Sequence, residues 1–248
     1  MVMGKIKEGL KAAGDLLLPR TCIVCGSRLL INEEHICLHC LADMPLTHFW
    51  EASHNKMADR FNEVILDRTD NLHGHERYVH AAALFYFSSD AAYRHILYAL
   101  KYEGRTDLGG HFGEMLGVRL ARSEEFRDVD CVIPVPLHWI RHWRRGYNQA
   151  EIIAKAVAQA VGAEIRTDIL KRVRRTRTQT KMGIAEKGAN VTGAFRAYMK
   201  GSSPKHVLII DDLFTTGSTL FACFMALRAV FPSSVRISVA TLGFVGGG

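Results

Sequence analysis

Hydrophobic and polar positions alternate along this chain in blocks that suit strands and helices in turn. Ala81 to Phe87 is an apolar run of strand length, and Asp90 to Tyr102 and Leu108 to Arg122 follow with helical spacing. Val129 to Val135 is a short apolar run suited to a buried strand, and Asn148 to Val161 is a strongly periodic helix. Val207 to Ile210 reads as a second buried strand, Ser218 to Phe231 as a helix and Val235 to Leu242 as a last strand. Strands alternating with helices predict an α/β domain built on a parallel sheet covered on both faces.

The N-terminal third lacks this rhythm. Residues 1 to 18 predict a helix, with Ile6, Leu10, Ala13 and Leu17 on one side and Pro19 stopping it. Residues 20 to 45 hold four of the six cysteines, and residues 50 to 78, polar and rich in His and Asn, read as loop or linker. The expected organisation is an N-terminal helix and cysteine module over 1–48, a linker over 49–78 and the α/β domain over 79–245.

Composition narrows the setting. The chain has 248 residues, 48% hydrophobic and 23% charged, the balance of a globular protein. No apolar run approaches the roughly 20 residues that span a bilayer. The first residues, with Glu8 and Asp15 among them, lack the unbroken apolar segment of a secretory signal, so the expected location is the cytoplasm. The net charge of +7 favours anionic partners, and it is unevenly spread. Lys171, Arg172, Arg174, Arg175, Arg177 and Lys181 fall within eleven residues that hold no acid.

Cys22-Ile-Val-Cys25 and Cys37-Leu-His-Cys40 are two C-x-x-C pairs separated by eleven residues. Each pair offers two thiolates from one turn, and together they complete a tetrahedral shell for a structural Zn²⁺. Gly26 follows the first pair, where a knuckle needs a permissive backbone. A module this small buries little, so the metal supplies much of its folding energy. A redox dithiol is the competing reading, and His35 and His39 are alternative ligands. A closed thiolate shell leaves no open position for catalysis, and such a module is a candidate docking surface for another protein.

The C-terminal chemistry sits in Val207-Leu-Ile-Ile-Asp-Asp-Leu-Phe-Thr-Thr-Gly-Ser-Thr219. A buried strand ends in two carboxylates, a hydroxyl-rich turn follows, and a helix begins. Backbone N–H groups at a helix N-terminus make an anion nest, and Gly217 lets the backbone approach a phosphate. Thr215, Thr216, Ser218 and Thr219 add hydroxyls, while Asp211 and Asp212 suit sugar hydroxyls, with or without a divalent cation. Carboxylate pair and cradle together read as a ribose 5-phosphate site. No Lys follows the Gly, which excludes a Walker loop. Upstream, Pro134 and Pro136 stiffen a strand end, and Arg141, Arg144 and Arg145 precede a helix whose cap is Asn148, an arrangement suited to pyrophosphate. Trp139, Trp143 and Tyr147 lie among these arginines, where aromatics can stack on unpaired bases or pack beneath the loop.

The strand, Asp-Asp pair and Thr-Thr-Gly turn resemble the type I phosphoribosyltransferases. The resemblance implies binding of phosphoribosyl diphosphate (PRPP) with Mg²⁺, Asp211 and Asp212 as the catalytic pair on the ribose hydroxyls, and residues Thr215 to Thr219 on the 5′-phosphate. The order Ala99-Leu-Lys-Tyr-Glu-Gly104, Pro134 to Leu137, Arg145-Gly-Tyr-Asn-Gln149, Arg175 to Thr180, Asn190 to Phe195 and Asp211 to Thr219 is similar to the ComF family. That likeness runs over about residues 10 to 242. It implies a role in natural transformation, with single-stranded DNA as a partner and Arg141, Arg144, Arg145, Arg172, Arg174, Arg175 and Arg177 contacting pyrophosphate or DNA. The chain departs from the family where Glu186-Lys187-Gly188 precede Asn190 in place of an expected Arg. An active transferase with an unknown acceptor and a PRPP-responsive regulator without turnover are the alternatives.

Overall fold

The computed structural model describes residues 19–68, 77–137, 145–173, 193–199 and 201–246. The expected N-terminal helix, Arg141, Arg144, Arg174, Arg175, Arg177, Trp139, Trp143 and the segment around Asn190 lie outside the described residues.

Five strands form one sheet: β1 (Ala81–Tyr86), β2 (Cys131–Pro134), β3 (Glu164–Ile165), β6 (His206–Phe214) and β7 (Arg236–Phe244), in the order β1-β7-β6-β2-β3. Every pairing in it is parallel, with Ile209 opposite Val239 on one side and Ile133 on the other. A separate antiparallel ribbon joins β4 (Leu170–Arg172) to β5 (Phe195–Ala197). Sequence periodicity had no means of finding β3, β4 or β5, because two or three residues cannot display a period.

The strand order fixes where a ligand crevice forms. The helix α5 (Gln149–Val161) carries the chain from β2 outward to β3, and α6 (Ser218–Arg228) carries it from β6 outward to β7, in opposite directions. Right-handed crossovers in opposite directions place the two helices on opposite faces. The carboxyl ends of β2 and β6 therefore flank the topological switch point, where open α/β sheets bind ligands.

One face carries α4 (Thr106–Leu120) packed along α5. Gly109, Gly113 and Gly117 recur every four residues on α4 and let the helices close. A Cβ on Gly117 would stand 2.7 Å from the Ala160 Cβ and 3.0 Å from the Val157 Cα, whereas one on Gly110 would meet nothing within 4 Å. Alanine gains about 1 kcal/mol over glycine in an exposed helix interior, but overpacking costs about 1–3 kcal/mol. Gly110→Ala should raise the urea midpoint and Gly117→Ala should lower it. Equal shifts would show that the two helices do not close on this face.

The other face corrects the linker expectation. Residues 49–78 contain a 3-10 turn (Phe49–Glu51), with Phe49 and Trp50 buried, and a thirteen-residue helix, α2 (Lys56–Arg68). Met57, Phe61 and Ile65 form its buried stripe, and the Phe61 ring meets Phe214 and Phe224 edge-on at 6.2 and 6.1 Å. The asparagines that suggested a loop are used to anchor this helix. Asn55 Oδ1 accepts from the N–H groups of Met57 and Ala58 at 3.1 and 3.0 Å, while its Nδ2 donates to the Ala81 carbonyl at 2.9 Å. Asn62 pairs both ways with the Val79 backbone at 2.9 and 3.0 Å. Polar side chains that bond backbone in this way satisfy groups that burial would otherwise strand. The chain between the cysteine module and this helix also covers the β1 edge, with the Tyr86 N–H donating to the Pro45 carbonyl at 2.8 Å.

At the opposite end of the sheet, His206 is fully buried at the start of β6. Its Nδ1 lies 2.8 Å from Asp128 Oδ1 and its Nε2 2.9 Å from Ser238 Oγ. Burial holds its pKa below the ordinary 6.5, with Asp128 opposing only in part. The unfolded chain takes up this proton near pH 6.5 and the folded chain only at lower pH. Stability should therefore decline as pH falls below about 6.5, flattening once the folded His206 titrates. Urea unfolding between pH 8 and 5 should show a steeper loss for the wild type than for His206→Gln. Parallel profiles would remove His206 from the cause.

Candidate functional site

Two sites stand out. The first is the cysteine module. The Sγ atoms of Cys22, Cys25, Cys37 and Cys40 all lie within 4.8 Å of one another. Tetrahedral coordination with Zn–S arms of about 2.3 Å separates sulfurs by about 3.8 Å, and Cys25 Sγ stands 3.8 Å from Cys37 Sγ. The backbone prepares the thiolates. The Cys37 N–H points to Cys22 Sγ and the Cys40 N–H to Cys37 Sγ, both at 3.4 Å. Gly26 turns the first knuckle at φ 73°. The donor set thus fits one zinc ion. Sequence reading passed over Glu33, whose carboxylate accepts from the N–H groups of Leu30 and Leu38 at 2.6 and 2.7 Å. It ties the inter-knuckle loop to the start of α1 (Leu38–Ala42), the short helix carrying Cys40. The module docks on the sheet domain through Tyr93, whose hydroxyl donates to the Cys40 carbonyl at 2.7 Å.

The second site lies at the switch point. β6 leaves the core at Asp211 and Asp212, both half-buried after five fully buried residues. Asp211 Oδ1 accepts from the Asp212 N–H at 2.9 Å. Burial and the neighbouring Asp212 charge push the Asp211 carboxyl up, to about 7, with Lys101 and Arg172 opposing. Its proton is therefore gained or lost near neutral pH, and a cation or hydroxyl donor placed beside it draws the proton off.

The turn that follows is opened by Gly217 at φ 72°, a left-handed conformation that side chains disfavour. A Cβ there would also meet the Phe214 ring at 2.9 Å. Gly217, as N-cap, supplies no side-chain cap to α6, and no other cap is made among the described residues. Thr216 and Ser218 instead pair their hydroxyls at 3.0 Å in front of it. An uncapped helix N-terminus with adjacent hydroxyls is a preformed anion site.

Three cations converge here, and the sequence argument had singled out only one of them. Arg172, the last residue of β4, is near enough to Asp211 to act on its charge, because the ribbon packs on α6. Lys101, near the end of α3 (Arg94–Tyr102), holds Asp212 at 3.1 Å. Arg68, ending α2, reaches Ser218 Oγ at 3.4 Å and lies 5.3 Å over the Phe221 ring. The signal for Arg68 was the Met57–Phe61–Ile65 stripe, which makes the segment a helix. For Lys101 no local signal existed beyond its place in the Ala99 to Gly104 motif.

Across the crevice, Asn148 caps α5 by accepting from the Ala150 N–H at 3.2 Å, and it donates to the Val135 carbonyl at 3.0 Å. It thus pins the end of β2 to the helix, the capping role expected of it. Gln149 beside it is 2% exposed, and its Nε2 has no hydrogen-bond partner among the described residues. A stranded buried donor costs about 1–3 kcal/mol, and this residue opens α5 just after the end of β2. Arg145 lies 5.2 Å over the ring of Tyr102.

A parallel α/β sheet with a carboxylate pair and an open helix N-terminus at its switch point, joined to a four-cysteine knuckle pair, is the architecture of a zinc-ribbon protein with a type I phosphoribosyltransferase-like domain. Among known proteins, the chain is similar to Competence protein F of Haemophilus influenzae, with 34% identity over 125 residues. The match covers 49% of this chain and 55% of that one, so it spans about half the length of the relative. No protein-family model matches this chain. Among the described residues, no helix is long and apolar enough to cross a membrane.

Proposed function

We propose that the crevice between β2 and β6 binds PRPP, and that the protein serves competence by handling single-stranded DNA with this site engaged. The observation that carries the reading is the direct succession of Asp211-Asp212, the left-handed Gly217 and the uncapped α6 at the switch point. The ribose hydroxyls bond to the two carboxylates, and the 5′-phosphate takes the α6 amides and the hydroxyls of Thr215, Thr216, Ser218 and Thr219. The pyrophosphate faces Arg145. Carboxylate oxygens beside pyrophosphate suit a hard divalent ion such as Mg²⁺, which would neutralise charge there. A competence role follows from the likeness to Competence protein F of Haemophilus influenzae.

A contact between single-stranded DNA and this face is favoured by one further feature. Tyr98 and Tyr102 are 53% and 65% exposed and lie ring to ring at 4.9 Å on α3. With Arg145 above Tyr102, they offer faces on which unpaired bases stack. The same face would serve a base-like acceptor if the site turns over. The reading is tested by calorimetric titration of PRPP with Mg²⁺ into the full chain, with and without an oligothymidylate, while pyrophosphate release is followed. Saturable PRPP binding is expected, and its absence up to millimolar concentration overturns the proposal.

A further inference from the structure

A second cluster of metal-ligating side chains lies outside both sites, where the cysteine module meets the sheet domain. Glu34 and His35, in the loop between the knuckles, come together with His111 on α4, and their ligand atoms all lie within 4.8 Å of one another. The imidazole rings of His35 and His111 stand edge to face at 5.0 Å and 72°. Asp107, one turn before His111, places Oδ2 3.3 Å from His35 Nδ1. Arg105 in turn grips Asp107 with two nitrogens, at 3.1 and 2.7 Å.

We propose that Glu34, His35 and His111 bind a second divalent transition-metal ion, distinct from the thiolate site, that clips the cysteine module to α4. Two imidazoles and one carboxylate suit zinc, cobalt or nickel and discriminate against magnesium and calcium. The Asp107 carboxylate beside His35 is the kind of neighbour that metal-bound histidines take. Three ligands leave at least one position for water, so this ion binds more weakly and exchanges faster than one closed by four thiolates. Because two ligands come from the module and one from α4, binding favours the docked arrangement over any other by mass action.

The test uses the full chain already loaded with one zinc per molecule. Equilibrium dialysis against 50 µM Zn²⁺ should bring the bound metal to about two per chain, and calorimetry should show one additional site of micromolar affinity. His111→Gln and Glu34→Gln should each weaken that site by tenfold or more while keeping the first zinc and the wild-type far-ultraviolet spectrum. Dialysis of the wild type that stops at one zinc per chain overturns the proposal. So does a second site whose affinity both variants leave unchanged. If His111→Gln fails to keep the first zinc, Glu34→Gln, an exposed position, decides alone. A seam held only by the His35–Asp107 pair and ring packing would show no second ion.

Discussion

Asp211→Asn is expected to weaken PRPP binding by about 10- to 100-fold and, at the same time, to raise the melting temperature above pH 7. The two effects share one cause. A charge-assisted hydrogen bond from a ribose hydroxyl to a carboxylate contributes about 1.5–3 kcal/mol, and the amide keeps only a neutral version of it. In the free protein, however, that carboxylate is costly, because burial and Asp212 raise its pKa to about 7, far above the ordinary 3.8. Between those values the folded state holds a proton that the unfolded state has released, so stability falls as pH rises from about 4 to about 7. Asn removes that dependence. Asp212→Asn should weaken PRPP similarly, with a smaller gain in stability, because it also gives up the ion pair with Lys101 at 3.1 Å. Calorimetry for binding and thermal melts at pH 5 and 8 read the two arms separately. PRPP affinity unchanged in both variants would move the ribose away from this pair. Unchanged affinity with the expected stability gain would leave the electrostatics right and the ligand wrong.

Removing a metal held by the four thiolates should have the larger structural effect, and a local one. Cys37→Ser, or extraction with a strong chelator, is expected to unfold residues 20 to 45 while the sheet domain keeps its cooperative transition. Within the module the buried apolar side chains are few, chiefly Val24, Leu29, Ile36 and Met44 besides the cysteines. Structural zinc supplies about 10–16 kcal/mol to comparable modules, which that small core cannot replace. The buried cysteines join the same hydrophobic cluster as the sheet core, but the pairing of β6 with β7 and the ring contacts of Phe61 with Phe214 and Phe224 involve no thiolate. Hydrogen exchange should show the amides of Cys22, Gly26 and Leu29 losing protection, while those of β6 keep theirs. A module that stays protected without metal would show that its hydrogen bonds and its docking through Tyr93 suffice.

The chemistry-bearing segments were legible in the sequence because each is local. Two C-x-x-C pairs specify their knuckles within four residues each, and the fold brings their four sulfurs to metal-binding distance. An apolar strand running into Asp211-Asp212 and Gly217 specifies a strand–turn–helix whose carboxylates, hydroxyls and helix end must be neighbours. The alternating pattern likewise implied a parallel sheet, since helical crossovers are the ready way to join parallel strands.

Tertiary structure decided the rest, because it depends on residues far apart in the chain. Nothing local tells Lys101 that it meets Asp212, or Arg68 that it meets Ser218. Those pairs exist because α3 and α2 pack where the sheet order leaves room. The segment read as linker became a helix once Asn55 and Asn62 found strand backbone to bond, a use of polar residues that composition counts against order. The switch point itself is a property of strand order, which no single segment contains. What the sequence alone determined is the set of chemical groups, four thiolates, two carboxylates and a hydroxyl-rich turn. Only the fold decided which cations stand against them, since charge pairing acts across space while sequence patterning acts along the chain.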